Sequence, residues 1–208
     1  VLLGGLIFLA IRGGVGRSTM NIGNAYFSEN TYMNHAAVNP AFSLMYSWNK
    51  SENFAEKYNY LDEHKRAACY APLYPASTED CTRQLLRATR PNILIIILEG
   101  FGGEYIEELG GAKNVSPNIS RLIREGIFFD NVYANSFRTD RGLVSTLSGH
   151  ISYPTTSIMK LPAKSRLLPG IARTLQQAGY QTDFLYGGDI NFTNMRSYFT
   201  TTGYQHLT

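Results

Sequence analysis

Glu99 closes the apolar run of "NILIIILEGFGG", residues 92–103. A carboxylate at the tip of a buried strand needs a partner. A hard divalent cation such as Mg or Mn suits oxygen ligands, and Gly100, Gly102 and Gly103 would let backbone approach a ligand closely. The competing reading of Glu99 is a solvated loop carboxylate. Thr139, in "SFRTDRG", stands where a helix is expected to begin. A hydroxyl is a weak nucleophile until it is activated, and a helix N-terminus and a metal ion both favour its alkoxide. The simpler alternative is that Thr139 only caps its helix. Arg138 and Arg141 flank it and can neutralise a phosphate, or they form a solvated surface pair. Asp189 and Arg196, in "GGDINFTNMR", can face one pocket across a turn and the first helical turns. Asp189 can equally cap that helix.

These residues need a frame. "NILIIIL" has the length and unbroken apolarity of a central parallel strand buried on both faces. "EYIEELG" reads as a short helix stopped by glycine. "SPNISRLIREG" reads as a helix with Ser116 as N-cap, Pro117 in its first position and Gly126 at its end. "IFFDNVYAN" is expected to be a strand, "TDRGLVSTLSG" a helix from Thr139, and "SRLLPGIARTLQQAG" a helix with Pro169 in its first turn. "YQTDFLYGG" follows as a strand and "NFTNMRSYFTTTG" as a helix. Alternating strands and helices predict an α/β domain with a mainly parallel sheet flanked by helices, and ligands bind such sheets at the carboxyl ends of the strands.

Composition narrows the class. Hydrophobic residues are 44% and charged residues 17%, with a formal charge of +3, which describes a globular chain. No basic block appears, so nucleic acid is not an expected partner. The opening "VLLGGLIFLAIRGG" is apolar from Val1 to Ile11, short of the ~20 residues a membrane span needs. It can be a signal-peptide core, a buried helix interrupted by Gly4 and Gly5, or the end of a transmembrane helix. The last is favoured, because Arg12 and two glycines follow at once. Residues 12–90 read as a helical connector, with room in "NPAFSLMYSWNKSENFAEKYNYL" for one or two amphipathic helices. Cys69 and Cys81 form no zinc pattern; in an oxidising compartment they can pair, and otherwise they are two thiols.

Taken together, "PNILIIILEGFGG", "SPNISRLIREGIFFDNVYANSFRTDRG", "STLSG" and "FLYGGDINFTNMRSYF" resemble the lipoteichoic acid synthase-like branch of the sulfatase and alkaline phosphatase superfamily. The resemblance runs over residues 91–208. It implies that 1–11 end a transmembrane helix, 12–90 connect, and 91–208 form the N-terminal part of a catalytic domain on the extracytoplasmic side of a cell membrane. It assigns Glu99 and Thr139 to a divalent metal, Mn or Mg, and makes Thr139 the nucleophile. Asp189, Arg196 and Arg138 would hold the head group of a phospholipid. The implied reaction moves a phosphoglycerol-type group from that lipid to an acceptor hydroxyl through a phospho-threonine. Many sulfatases instead carry paired aspartates after the first strand and a cysteine or serine converted to formylglycine. "LEGFGG" and a threonine point to phospho-transfer.

The chain also departs from that pattern. Gly100 replaces the usual serine after the glutamate, and Asn194 stands where better-known members place a tryptophan in the head-group site. The head group is therefore open, with phosphoethanolamine as another candidate. The family completes its metal site with a later Asp-His pair and a further histidine. After Asp189 this chain offers His206, in no such dipeptide, and His150 reads as structural. The 208 residues alone are expected to bind metal weakly and not to turn over. A sulfatase-like hydrolase and a non-catalytic membrane-tethered module are the alternatives.

Overall fold

In the computed structural model, residues 2–16, 18–50, 53–73, 79–80 and 84–208 are described, the side chains of 49 and 50 excepted. The chain forms two compact units, one of residues 1–50 with 116–208 and one of residues 51–115. The first unit opens with α1 (Leu2–Arg12), α2 (Thr31–Ala37) and α3 (Pro40–Lys50). The second holds α4 (Phe54–Lys57), α5 (Glu63–Tyr70) and short 3-10 turns at Gly103–Tyr105 and Glu107–Leu109. The first unit resumes with α6 (Pro117–Glu125), α7 (Thr139–Ser148), α8 (Pro162–Ser165), α9 (Ile171–Gln177), β1 (Asp183–Phe184), α10 (Met195–Thr202) and β2 (His206–Leu207).

The core of the first unit is built on two helices whose apolar residues recur every three to four positions. Met195, Tyr198 and Phe199 of α10 are fully buried, and Thr202 continues the stripe one turn later. Its hydroxyl donates to the Tyr198 carbonyl 2.8 Å away, and Thr201 donates to the Ser197 carbonyl, so these polar groups enter the core satisfied. Leu143, Val144 and Leu147 of α7 pack against the same cluster with Ile158, Met159 and Leu168. Burying each large apolar side chain contributes about 1.5–3 kcal/mol. α7 stops at Gly149, whose φ of +64° is left-handed and suits glycine.

The Tyr198 hydroxyl lies 2.6 Å from Ser148 Oγ and ties α10 to the end of α7. Burial pushes the Tyr198 phenol up to about 12, against the Ser148 hydrogen bond, which lowers it. Burial also raises Tyr26 and Tyr204. The folded protein thus keeps a proton that the unfolded chain releases near its ordinary value of 10.0. This stability is intact below that pH and is lost as pH rises through the folded value, by about 3 kcal/mol for Tyr198. Urea melts between pH 8 and 12 should show a fall on the alkaline limb, and Tyr198→Phe should make that limb shallower. An unchanged slope would mean that the phenol is not buried.

The architecture is helix-rich α/β, and several expected elements differ. Among the described residues the sheet is parallel but has two strands, pairing Asp183 with His206 and Phe184 with Leu207. The run 92–98 is not a strand: it lies in the second unit, whose other described elements are helices and 3-10 turns, and a strand exists only with a ladder partner. Its side chains are exposed on both faces, Leu94 at 84% and Ile95 at 45%. Residues 127–135 likewise carry no strand. The helix expected over 165–179 is divided, with α8 before Pro169 and α9 starting only at Ile171, because proline at 169 disfavours helix at the residue before it. Ser116 occupies the N-cap position of α6, yet its side chain makes no capping bond.

No helix among the described residues is long and apolar enough to cross a membrane. α1, with 11 residues, is about 16 Å long, half a bilayer core. Cys69 is exposed, while Cys81 lies outside the described residues, and so does the question of their pairing.

Candidate active site

Thr139 is the first residue of α7, and the N-cap position belongs to Arg138, which is extended at φ −125° and ψ 141°. Thr139 is therefore not the cap, and its half-buried side chain stands in the first turn, where backbone N–H groups carry partial positive charge. The helix beneath is rigid because it is core: Asp140, Arg141, Leu143 and Val144 are all buried.

The two flanking arginines behave differently. Arg141 is buried, its Nη1 donates to the Pro154 carbonyl at 3.1 Å, and its guanidinium stacks over the Phe137 ring at 5.3 Å. It latches α7 to the following loop and is not a solvated partner of Arg138. Arg138 has its Nε 3.5 Å from Asp140 Oδ1, and Lys160 Nζ lies 3.7 Å from Asp140 Oδ2.

A second cluster forms between β1 and α10. Asp189 Oδ1 accepts from the Asn191 backbone N–H at 2.9 Å and from its amide at 3.0 Å, while Oδ2 accepts from Ser18 Oγ at 2.5 Å. The Ser18 hydrogen bond, then the Asn191 backbone bond, hold the Asp189 carboxyl below its usual range, and Arg196 adds to this. Arg196 Nε donates to Asn191 Oδ1 at 2.7 Å. Asp189 and Arg196 are thus joined through Asn191.

Asn194, the departure from the family's tryptophan, has both ends of its amide engaged within the protein. It is buried, its Oδ1 accepts from the Gly23 N–H at 3.2 Å, and its Nδ2 donates to the Lys160 carbonyl at 3.2 Å. Thr193 and Asn194 both have left-handed backbones, φ +52° and +63°. Such conformations cost about 1–3 kcal/mol each and persist where surrounding contacts enforce them. Gly23 enforces this one by close approach, since a Cβ there would meet Asn194 Oδ1 at 2.9 Å.

Other expectations resolve singly. Glu99 is exposed and belongs to the second unit, whereas Thr139, Arg138, Asp189 and Arg196 belong to the first. Among the described residues no three His, Cys, Asp or Glu side chains gather into a metal site. His206 has no tandem aspartate, but its Nδ1 lies 2.6 Å from Asp183 Oδ1 across the ladder, in solvent. His150 is structural in its contacts, with its ring against Tyr153 at 5.4 Å.

Asp140, Lys160, Ser18 and Asn191 were not legible as site residues. Only Asp140 carried a local signal, an acid in the first helical turn. Ser18 and Lys160 reach their clusters through tertiary contacts, and Asn191 reaches Asp189 two residues away.

The sulfatase family model matches residues 91–208. An N-acetylglucosamine-6-O-sulfatase of Bacteroides thetaiotaomicron is 30% identical over 115 residues, covering 53% of this chain and 20% of the relative. An ulvan-active sulfatase of Formosa agariphila is 31% identical over 117 residues, covering 50% of this chain and 20% of the relative. The chain spans about a fifth of the length of the curated relatives it matches. No solved structure matches it. The family match covers more than half of its residues, and the chain belongs to the sulfatase family.

Proposed function

We propose that this chain is part of a membrane-associated transferase that moves a phosphoglycerol-type head group from a phospholipid to an acceptor hydroxyl. The observation that carries the reading is Thr139 at the first position of α7, with Arg138 beside it. Thr139 Oγ1 gives up its proton and attacks the head-group phosphorus, the bond to the diacylglycerol oxygen breaks, diacylglycerol leaves with a proton on that oxygen, and a phospho-threonine forms. The acceptor hydroxyl then attacks that phosphorus and releases Thr139. A covalent intermediate divides one hard displacement into two. A threonine bears a secondary alcohol, so its oxidation gives a ketone and not the aldehyde of formylglycine; this separates Thr139 from a cysteine or serine in that role. Arg138 would meet the phosphate oxygens, while Asp189 and Arg196 would take the polar head group.

A divalent ion, Mn or Mg, is part of the proposal. The gathered residues described above do not form its site by themselves. The membrane association is supported by α1, whose described residues are apolar and exposed up to Arg12, and the extracytoplasmic side is part of the same proposal. No nucleic-acid partner is proposed.

A second reading, a sulfatase-like hydrolase using water as acceptor, is favoured by the two sulfatase relatives. The products separate them. Full-length protein in vesicles of fluorescent phosphatidylglycerol should release diacylglycerol and place phosphoglycerol on an acceptor. Sulfate release from a sulfated sugar, with no diacylglycerol formed, would replace the first reading by the second.

A further inference from the structure

Asp140 follows Thr139 in the first turn of α7, and its side chain is only 3% exposed. A buried carboxylate must be paired. Two cations share it, Arg138 Nε at 3.5 Å from Oδ1 and Lys160 Nζ at 3.7 Å from Oδ2. Oδ2 has no hydrogen-bond partner. An acid in a first turn complements the helix dipole, but an exposed one would serve that purpose as well, so the dipole does not explain the burial. The two cations stay open to solvent, Arg138 at 48% and Lys160 at 37%. Lys160 is also anchored through its main chain, because its carbonyl accepts from Asn194 Nδ2 at 3.2 Å and from the Tyr46 hydroxyl at 3.0 Å. The turn between Asp189 and Arg196, through Asn194, therefore fixes the base of a side chain whose tip reaches the start of α7.

We propose that Asp140 is a positioning residue that holds Arg138 and Lys160 as a two-cation clamp for an anionic group beside Thr139, with Lys160 the second anion-binding side chain of the site. The clamp rests on the reading of Thr139 given above. Two cations and one carboxylate leave one net positive charge at a helix end that is itself positive. Arginine has five N–H donors and lysine three, so each can keep Asp140 and offer another donor to a phosphate oxygen. If Asp140 merely neutralised its neighbours, Asp140→Asn would raise the local positive charge and tighten anion binding. A clamp predicts the opposite sign, because untethered cations swing into solvent.

Inorganic phosphate titrated into the full-length protein at fixed salt, in a Thr139→Ala background, reads the clamp without turnover. Adding Lys160→Ala should weaken phosphate about tenfold, the size of one charge-assisted hydrogen bond. Lys160→Arg should recover to within about threefold, and Asp140→Asn should weaken phosphate about fivefold despite its added charge. An unchanged affinity in Lys160→Ala, or a tighter one in Asp140→Asn, would overturn the clamp. Near-UV circular dichroism checks the fold; should Asp140→Asn lose its signal, the two Lys160 variants decide. The transferase reading fails separately, by normal lipid turnover in Thr139→Ala, which leaves the phosphate affinities to stand or fall by themselves.

Discussion

Thr139→Ala in the full-length protein is expected to lower head-group transfer by about 10⁴-fold or more, the scale seen when a covalent nucleophile is removed. The fold should survive. The N-cap position belongs to Arg138, so the loss of the Thr139 hydroxyl costs no cap, and alanine is favourable inside a helix. Thr139→Ser keeps a hydroxyl at the same place and should retain activity within roughly 100-fold of the parent, the loss reflecting looser side-chain placement. Diacylglycerol release from fluorescent phosphatidylglycerol gives the rates. Mass spectrometry of the peptide around "FRTDRG" should find phosphate on Thr139 when acceptor is withheld. Wild-type turnover by Thr139→Ala would end the covalent mechanism and leave the sulfatase family membership untouched.

The parts of the fold that could be read in advance were those specified locally. α6, α7 and α10 each have a helical apolar stripe and an interpretable stop, and they appear close to where the stripe places them. α9 was legible in its body but not in its start, because Pro169 was read as a tolerated first-turn residue and instead precedes the helix. Strands were less legible because their existence depends on a partner. "NILIIIL" has strand composition, yet in a unit of helices and turns it carries no ladder, while the shorter β1 finds β2 across 23 residues in sequence.

The candidate site shows the same division. Asp189 and Arg196 were read as neighbours from spacing across one turn, and Asn191 does join them. For Asn194, which stands where better-known members place a tryptophan, nothing local says that both ends of its amide are taken by Gly23 and Lys160. Asp140 carries no local signal beyond being an acid in a first helical turn. Its burial depends on Lys160, 20 positions away, which no periodicity could have paired with it.

Phe199→Ala should be the most damaging change to the fold. Phe199 is fully buried, its ring lies 3.6 Å from that of Phe184 on β1, and Tyr198 and Tyr204 approach edge-on at 5.2 and 5.3 Å. Removing it takes out the contact between α10 and the sheet and leaves a cavity, at a cost of about 3–5 kcal/mol. For a chain of this size that lowers the melting temperature by roughly 10 °C. Phe192, in the turn before α10 and 46% exposed, is the control: Phe192→Ala should shift stability by less than about 0.5 kcal/mol. The consequence for function is directional. α10 begins at Met195 and carries Arg196 in its first turn, so slackening the helix should loosen the Asp189–Asn191–Arg196 cluster before it disturbs α7. At temperatures where Phe199→Ala is still folded, KM for the lipid should therefore rise more than kcat falls. A variant that melts with the parent protein would remove α10 from the core, and with it the physical reason for placing Arg196 in the site.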